Sequence, residues 1–172
     1  MILVVMGVSG AGKTTVGRAL SEALKAEFIE GDAFHSAANV EKMRRGEPLD
    51  DADRRPWLQA LAAELARRAR RGNGAVLACS ALKRAYRTVL RSGVPELRLV
   101  YLEGPMALIR QRLEARGGHY MPPGLLDSQL AVLEPPGANE PCLRVDVGSE
   151  PAQIVQAVLA GLDRPHSRTD LD

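Results

Sequence analysis

Short apolar runs alternate with stretches of helical periodicity from one end of the chain to the other. This alternation predicts an α/β fold around a mostly parallel sheet. The runs place strands at residues 2–6, 27–30, 75–79, 97–102 and 142–147. Their near-continuous hydrophobicity suits strands covered on both faces.

Helices fill the intervals. The first begins near Lys13 and runs to about residue 26. A second starts after Asp50 and Asp51, where a carboxylate caps free amides, and its Leu58, Leu61, Ala62, Leu65 and Ala69 share one stripe. A third covers 84–91, Pro105 opens a fourth at a first-turn position, and a last spans 152–162. Two segments break the rhythm: a charged insertion at 31–53 with a Gly46-Glu47-Pro48 turn, and a loop at 116–124 rich in Arg, Gly, His and Pro. The chain thus reads as a single domain, 1–172, with an inserted segment (31–58), a loop (116–124) and a frayed polar tail (164–172).

Composition narrows this picture only slightly. One Trp, three Tyr and two Phe leave the core to Leu, Val and Ala. A formal charge of +2 is too small to imply a nucleic-acid surface. The two cysteines, Cys79 and Cys142, fit no metal spacing and read as reduced thiols. The apolar start is too short for a membrane span or a signal peptide, so a cytoplasmic location is expected.

Gly7-Val8-Ser9-Gly10-Ala11-Gly12-Lys13-Thr14 satisfies G-x-x-x-x-G-K-[ST] between a predicted strand and a predicted helix. Glycines let the backbone wrap a polyphosphate, so that amides and the helix N-terminus face anionic oxygens. Lys13 is expected to reach the β- and γ-phosphates of ATP, Thr14 to ligate Mg²⁺, and Thr15 to complete the loop. Neither D-x-x-G nor N-K-x-D, the marks of a GTPase switch, is found. A motor ATPase usually ends an apolar strand on a carboxylate, whereas the strand at 75–79 ends on Cys79-Ser80. A small-molecule kinase is the reading left, with a regulatory nucleotide-binding module as the alternative from another class.

On the acceptor side, ligands of parallel sheets sit at the carboxyl ends of strands, which puts Asp32 beside the phosphate loop. There it has three possible tasks: to orient and deprotonate an acceptor hydroxyl, to hold water on Mg²⁺, or to cap a turn. His35 is a candidate ligand for a polyhydroxy substrate or a surface histidine. Arg54 and Arg55 are candidates to grip an anion through a guanidinium fork. Arg112 and Arg116, four apart on a helix entering the 116–124 loop, suit a lid that closes over the phosphates and excludes water. Arg67, Arg68, Arg70 and Arg71 read as a solvated face.

The chain resembles the gluconokinase family. The resemblance rests on the phosphate loop and on Gly31-Asp32-x-x-His35-x-x-x-Asn39-x-x-Lys42-Met43-x-x-Gly46-x-Pro48-Leu49-x-Asp51-x-Asp53-Arg54-x-Pro56-Trp57-Leu58. Ala78-Cys79-Ser80-Ala81-Leu82-Lys83-x-x-Tyr86-Arg87, Arg112-x-x-x-Arg116-x-x-His119-Tyr120-Met121 and Leu125-Leu126-x-Ser128-Gln129-x-x-x-Leu133-Glu134 extend it over nearly the whole chain. It implies a P-loop NTPase fold like that of nucleoside monophosphate and shikimate kinases, with a five-stranded parallel sheet flanked by helices, a substrate segment and a lid. It further implies transfer of the γ-phosphate of ATP to the 6-hydroxyl of D-gluconate, with Mg²⁺, in a homodimer. By the same resemblance Ser80, Lys83, Arg87, His119 and Gln129 join Asp32, His35 and Arg54 as substrate contacts, with Lys13, Asp32 and Arg116 as catalytic groups. A shikimate-type kinase for another small acid or a nucleotide is the alternative on the same fold.

Overall fold

The computed structural model describes residues 1–115 and 123–163. Its elements run β1 (Ile2–Met6), α1 (Lys13–Ala23), β2 (Glu27–Glu30), a 3-10 turn (Gly31–Phe34), α2 (Ala37–Arg44), α3 (Asp51–Arg70), β3 (Ala75–Ala78) and α4 (Arg84–Arg91). Then follow β4 (Arg98–Glu103), α5 (Met106–Ala115), α6 (Pro123–Val132), β5 (Cys142–Asp146) and α7 (Pro151–Leu162). The segment expected to be a lid loop, with Arg116 and His119, lies outside the described residues except for its last two positions, and so does the whole expected tail, 164–172.

The five strands are all parallel and lie in the order β2-β3-β1-β4-β5. Strand β1 occupies the centre and is buried along its length. Its side chains divide between two cores, as the two-residue period of a strand requires. Ile2, Val4 and Met6 pack with Trp57, Leu58, Leu61 and Leu65 of α3 and with Tyr86 and Leu90 of α4. Leu3 and Val5 pack on the opposite face with Val16 and Leu20 of α1, Ile109 of α5, and Ile154 and Val158 of α7. The edge strands β2 and β5 are more exposed, which is why their sequences carry charge.

Local chemistry sets the helix starts. Asp50 accepts from the Asp53 amide at 2.8 Å and Asp53 accepts from the Asp50 amide at 3.0 Å, a reciprocal box that begins α3. The carbonyl of Pro105 accepts from Ile109, so this proline precedes the first residue of α5 rather than standing inside its first turn. Helices α2 and α6 were absent from the sequence expectation. Arg68, expected on a solvated face, is only 14% exposed and is engaged by Glu64 and Glu27.

The order of strands matters for the site. From β1 the chain goes to one side of the sheet, through β2 and β3, and returns on the other through β4 and β5. The carboxyl end of β1 is therefore the switch point of the sheet, where a crevice opens for ligands.

Candidate active site

The phosphate loop leaves β1 at that switch point. Gly10 and Gly12 sit at φ +86° and +92°, in the left-handed region that favours glycine. Val8 and Ala11 are buried in the core and fix the loop to the sheet. Gly12 begins α1 by accepting from the Val16 amide at 2.9 Å. Lys13 donates to the Val8 carbonyl at 3.0 Å, which folds its ammonium back over the loop. The Ser9 amide donates to Gln129 Oε1 at 2.7 Å, and Gln129 Nε2 donates to Ser9 Oγ at 3.2 Å.

Thr14 Oγ1 donates to Glu30 Oε2 at 2.8 Å. Sequence reasoning looked for a strand-end carboxylate after β3 and found Cys79-Ser80. The acid is instead at the end of β2. The readable signal was the pair Glu30 and Asp32 about Gly31, two carboxylates at one strand terminus.

A small cleft beside the loop is lined by Ser9, Lys13, Asp32, His35, Met43, Leu49, Arg54, Ser80, Ser128 and Gln129. It brings together, from five separate stretches of chain, most of the acceptor-side residues expected from sequence. Asp32 is exposed on the 3-10 turn that follows β2. His35 stacks on Trp57 with ring centroids 4.3 Å apart and planes 15° from parallel. Burial lowers the His35 pKa from its ordinary value; Asp32 opposes that shift and Arg54 adds to it. Arg54 is anchored through Nε to the Leu49 carbonyl at 3.2 Å, and its guanidinium lies 5.9 Å from the centre of the Tyr86 ring. Ser80 lines the cleft and does not cap α4, whose N-cap is Lys83.

Much of the 31–58 block braces this cleft rather than lining it. Asn39 donates from its side-chain Nδ2 to the Asp53 carbonyl at 2.8 Å and Lys42 pairs with the Asp53 carboxylate at 2.6 Å, tying α2 to the start of α3. Asp51 accepts from Lys83 at 2.7 Å and from the Tyr86 hydroxyl, tying α3 to α4. Those bonds, Lys83 first, hold the Asp51 carboxyl below the usual range.

Two expected substrate contacts stand elsewhere. Lys83 does not line the cleft and is engaged by Asp51. Arg87 is 1% exposed, and its fork meets Glu140 at 2.8 and 2.7 Å. Its remaining nitrogen donates to the carbonyls of Ala81, Leu82 and Glu134 at 3.1, 3.2 and 2.9 Å. This arginine clamps the loop after β3, where Ala81 takes a left-handed φ of +43°, onto the segment after α6. The expectation that Arg87 touches substrate is corrected on that ground: its hydrogen-bonding capacity is spent inside the protein. Arg112 is in the last turn of α5 and does not line the cleft.

Residues 2–136 match the family described as AAA domain. The chain is 48% identical over 157 residues to a gluconokinase of Gluconobacter oxydans, covering 91% of this chain and 88% of that protein. It is 45% identical over 139 residues to a thermoresistant gluconokinase of Escherichia coli, covering 81% and 79%. The chain belongs to the gluconokinase family. Solved structures agree with that membership. A gluconokinase from Sinorhizobium meliloti superposes with a TM-score of 0.85 at 47% identity, over 93% of this chain and 90% of that one. A sugar kinase from Janibacter does so with a TM-score of 0.91 at 46% identity, over 94% of both. A shikimate kinase from Aquifex aeolicus shares the fold alone, with a TM-score of 0.60 at 17% identity. Within the gluconokinase family, then, the five-stranded P-loop kinase architecture expected from sequence is the one observed.

Proposed function

We propose that this gluconokinase-family chain transfers the γ-phosphoryl group of ATP to the 6-hydroxyl of D-gluconate, giving 6-phospho-D-gluconate and ADP. One observation carries the site assignment: Lys13 of the phosphate loop shares a single cleft with Asp32, His35 and Arg54. In the reaction, Asp32 orients the 6-hydroxyl and accepts its proton as the oxygen bonds to the γ-phosphorus and the bond to the β-phosphate bridge breaks. Lys13 and the loop amides offset charge on the phosphoryl oxygens. Arg54, held by Leu49 on a fixed backbone, pairs with the gluconate carboxylate, while His35, Ser80 and Gln129 meet its hydroxyls. Arg112 and Arg116 are assigned to the phosphates of the nucleotide, where they exclude competing water, and His119 to the substrate.

Mg²⁺ fits this loop. Thr14 and Glu30 offer an oxygen pair of the kind that a cation sharing its shell with phosphates and water requires. When bound, the ion would neutralise charge developing on the phosphates during transfer. Among the described residues no helix is long and apolar enough to cross a membrane. A cytoplasmic homodimer is the proposed state, and light scattering checks its dimeric part.

ADP release followed across gluconate, shikimate and nucleoside monophosphates tests the reading. Turnover on gluconate with a phosphate ester at carbon 6 is expected. Turnover on shikimate or a nucleotide with none on gluconate overturns it, and ATP binding without acceptor-stimulated ADP release favours a regulatory module.

A further inference from the structure

Trp57 does not line the cleft, yet it touches His35 and the residue that precedes Asp32. It is the only tryptophan of the chain and is 2% exposed. Its indole Nε1 donates to the Gly31 carbonyl at 2.8 Å in a buried hydrogen bond. Its ring face carries His35. Gly31 itself packs closely on β3: a Cβ there would lie 2.5 Å from the Ala78 carbonyl. Asp32 follows directly, and its own carbonyl accepts from the His35 amide at 3.3 Å. The turn is thus pressed against β3 on one side and pinned by the indole on the other.

We propose that Trp57 is a positioning residue for phosphoryl transfer, setting Asp32 through the Gly31 carbonyl and His35 through ring stacking. This rests on the acceptor-side roles given above. The exposed carboxylate of Asp32 takes its aim from the backbone beneath it, and that backbone is fixed by the indole N–H. Among the described residues the buried Nδ1 of His35 has no partner, so no hydrogen bond from them at that atom orients the ring. The indole face does so instead. The two contacts use different parts of one side chain and are separable by substitution.

Trp57→Phe keeps a ring under His35 and removes the N–H. It is expected to lower kcat roughly 10- to 100-fold, the scale of a small misplacement of a reacting group, with the KM values for ATP and gluconate little changed. Trp57→Leu removes the stacking too and adds a rise in the gluconate KM. The deciding measurement is a double-mutant cycle with Asp32→Asn, because residues acting as one unit are non-additive. If Trp57 acts through Asp32, Trp57→Phe costs little kcat in the Asp32→Asn background. An equal loss in both backgrounds, or wild-type kcat in Trp57→Phe alone, overturns the proposal. Should the variants fail to fold, fluorescence of the single tryptophan decides it in the otherwise intact protein. Acceptor binding is expected to change its emission in wild type and not in His35→Leu, and an unresponsive wild type overturns the coupling. Both arms use whichever small acceptor the wild type turns over, so inactivity on gluconate counts against the substrate assignment alone.

Discussion

The hydroxyl of Thr14 donates to the carboxylate of Glu30 at 2.8 Å, joining the end of the phosphate loop to the end of β2. These residues are sixteen apart in sequence, and β1, which leads into the loop, is separated from β2 by β3 in the sheet. β3 ends without a carboxylate, whereas its neighbour β2 ends on Glu30.

Replacing Glu30 by Gln keeps the hydrogen bond to Thr14 and removes the charge. Loss of such a supporting carboxylate typically weakens metal affinity roughly 10- to 100-fold. The expected outcome is a corresponding rise in the Mg²⁺ needed for half-maximal turnover, with the gluconate KM unaltered. A magnesium titration at saturating ATP checks it.

Asp32→Asn retains the shape of the turn but removes the base. Turnover is expected to fall about 10²- to 10⁴-fold, the range for loss of a positioned general base, while ATP binding is preserved. Steady-state kinetics with both substrates varied separate these effects. Wild-type kcat in this variant removes Asp32 from the mechanism.

Arg54 and Arg87 are expected to fail in opposite ways. Arg54→Met should raise the gluconate KM about 10-fold or more through loss of a charge-assisted pair, with modest change in unfolding free energy. Arg87→Met leaves Glu140 buried without its cation and should cost about 3–5 kcal/mol of stability. Urea unfolding beside acceptor kinetics distinguishes the two arginines.

His35 gives stability a pH dependence with a definite sign. Burial lowers its folded pKa below the ordinary 6.5, so near that pH the unfolded chain binds more protons than the folded one. Stability therefore falls as pH drops from about 7 through the ordinary value toward the lowered one. Urea midpoints between pH 7.5 and 5.5 are expected to decline in wild type, and His35→Gln should flatten that decline.

These residues also show what a sequence can carry. The all-apolar β1 and the glycine spacing after it were legible because a buried central strand and a phosphate loop each leave little freedom in residue choice. Helix α6 was not, since Pro123 and Gly124 at its start resemble a turn. The two arginines could not be told apart by charge or by motif. What separates them is a carboxylate at Glu140, fifty-three residues beyond Arg87, and only the folded chain brings it near. Likewise, Asn39, Lys42 and Asp53 marked the family through its scaffold, because holding α2 against α3 constrains side chains as tightly as chemistry does.

The reciprocal bonds between Ser9 and Gln129 have a thermodynamic consequence. One side-chain amide grips the phosphate loop through both its backbone and its hydroxyl, so the loop holds its curve as part of the folded protein. Ordering that elsewhere accompanies ligand capture is completed here beforehand. Calorimetry of ATP association should accordingly show a small entropic penalty for the wild type. Gln129→Ala should show a larger one, with the loop then becoming ordered only as the anion arrives.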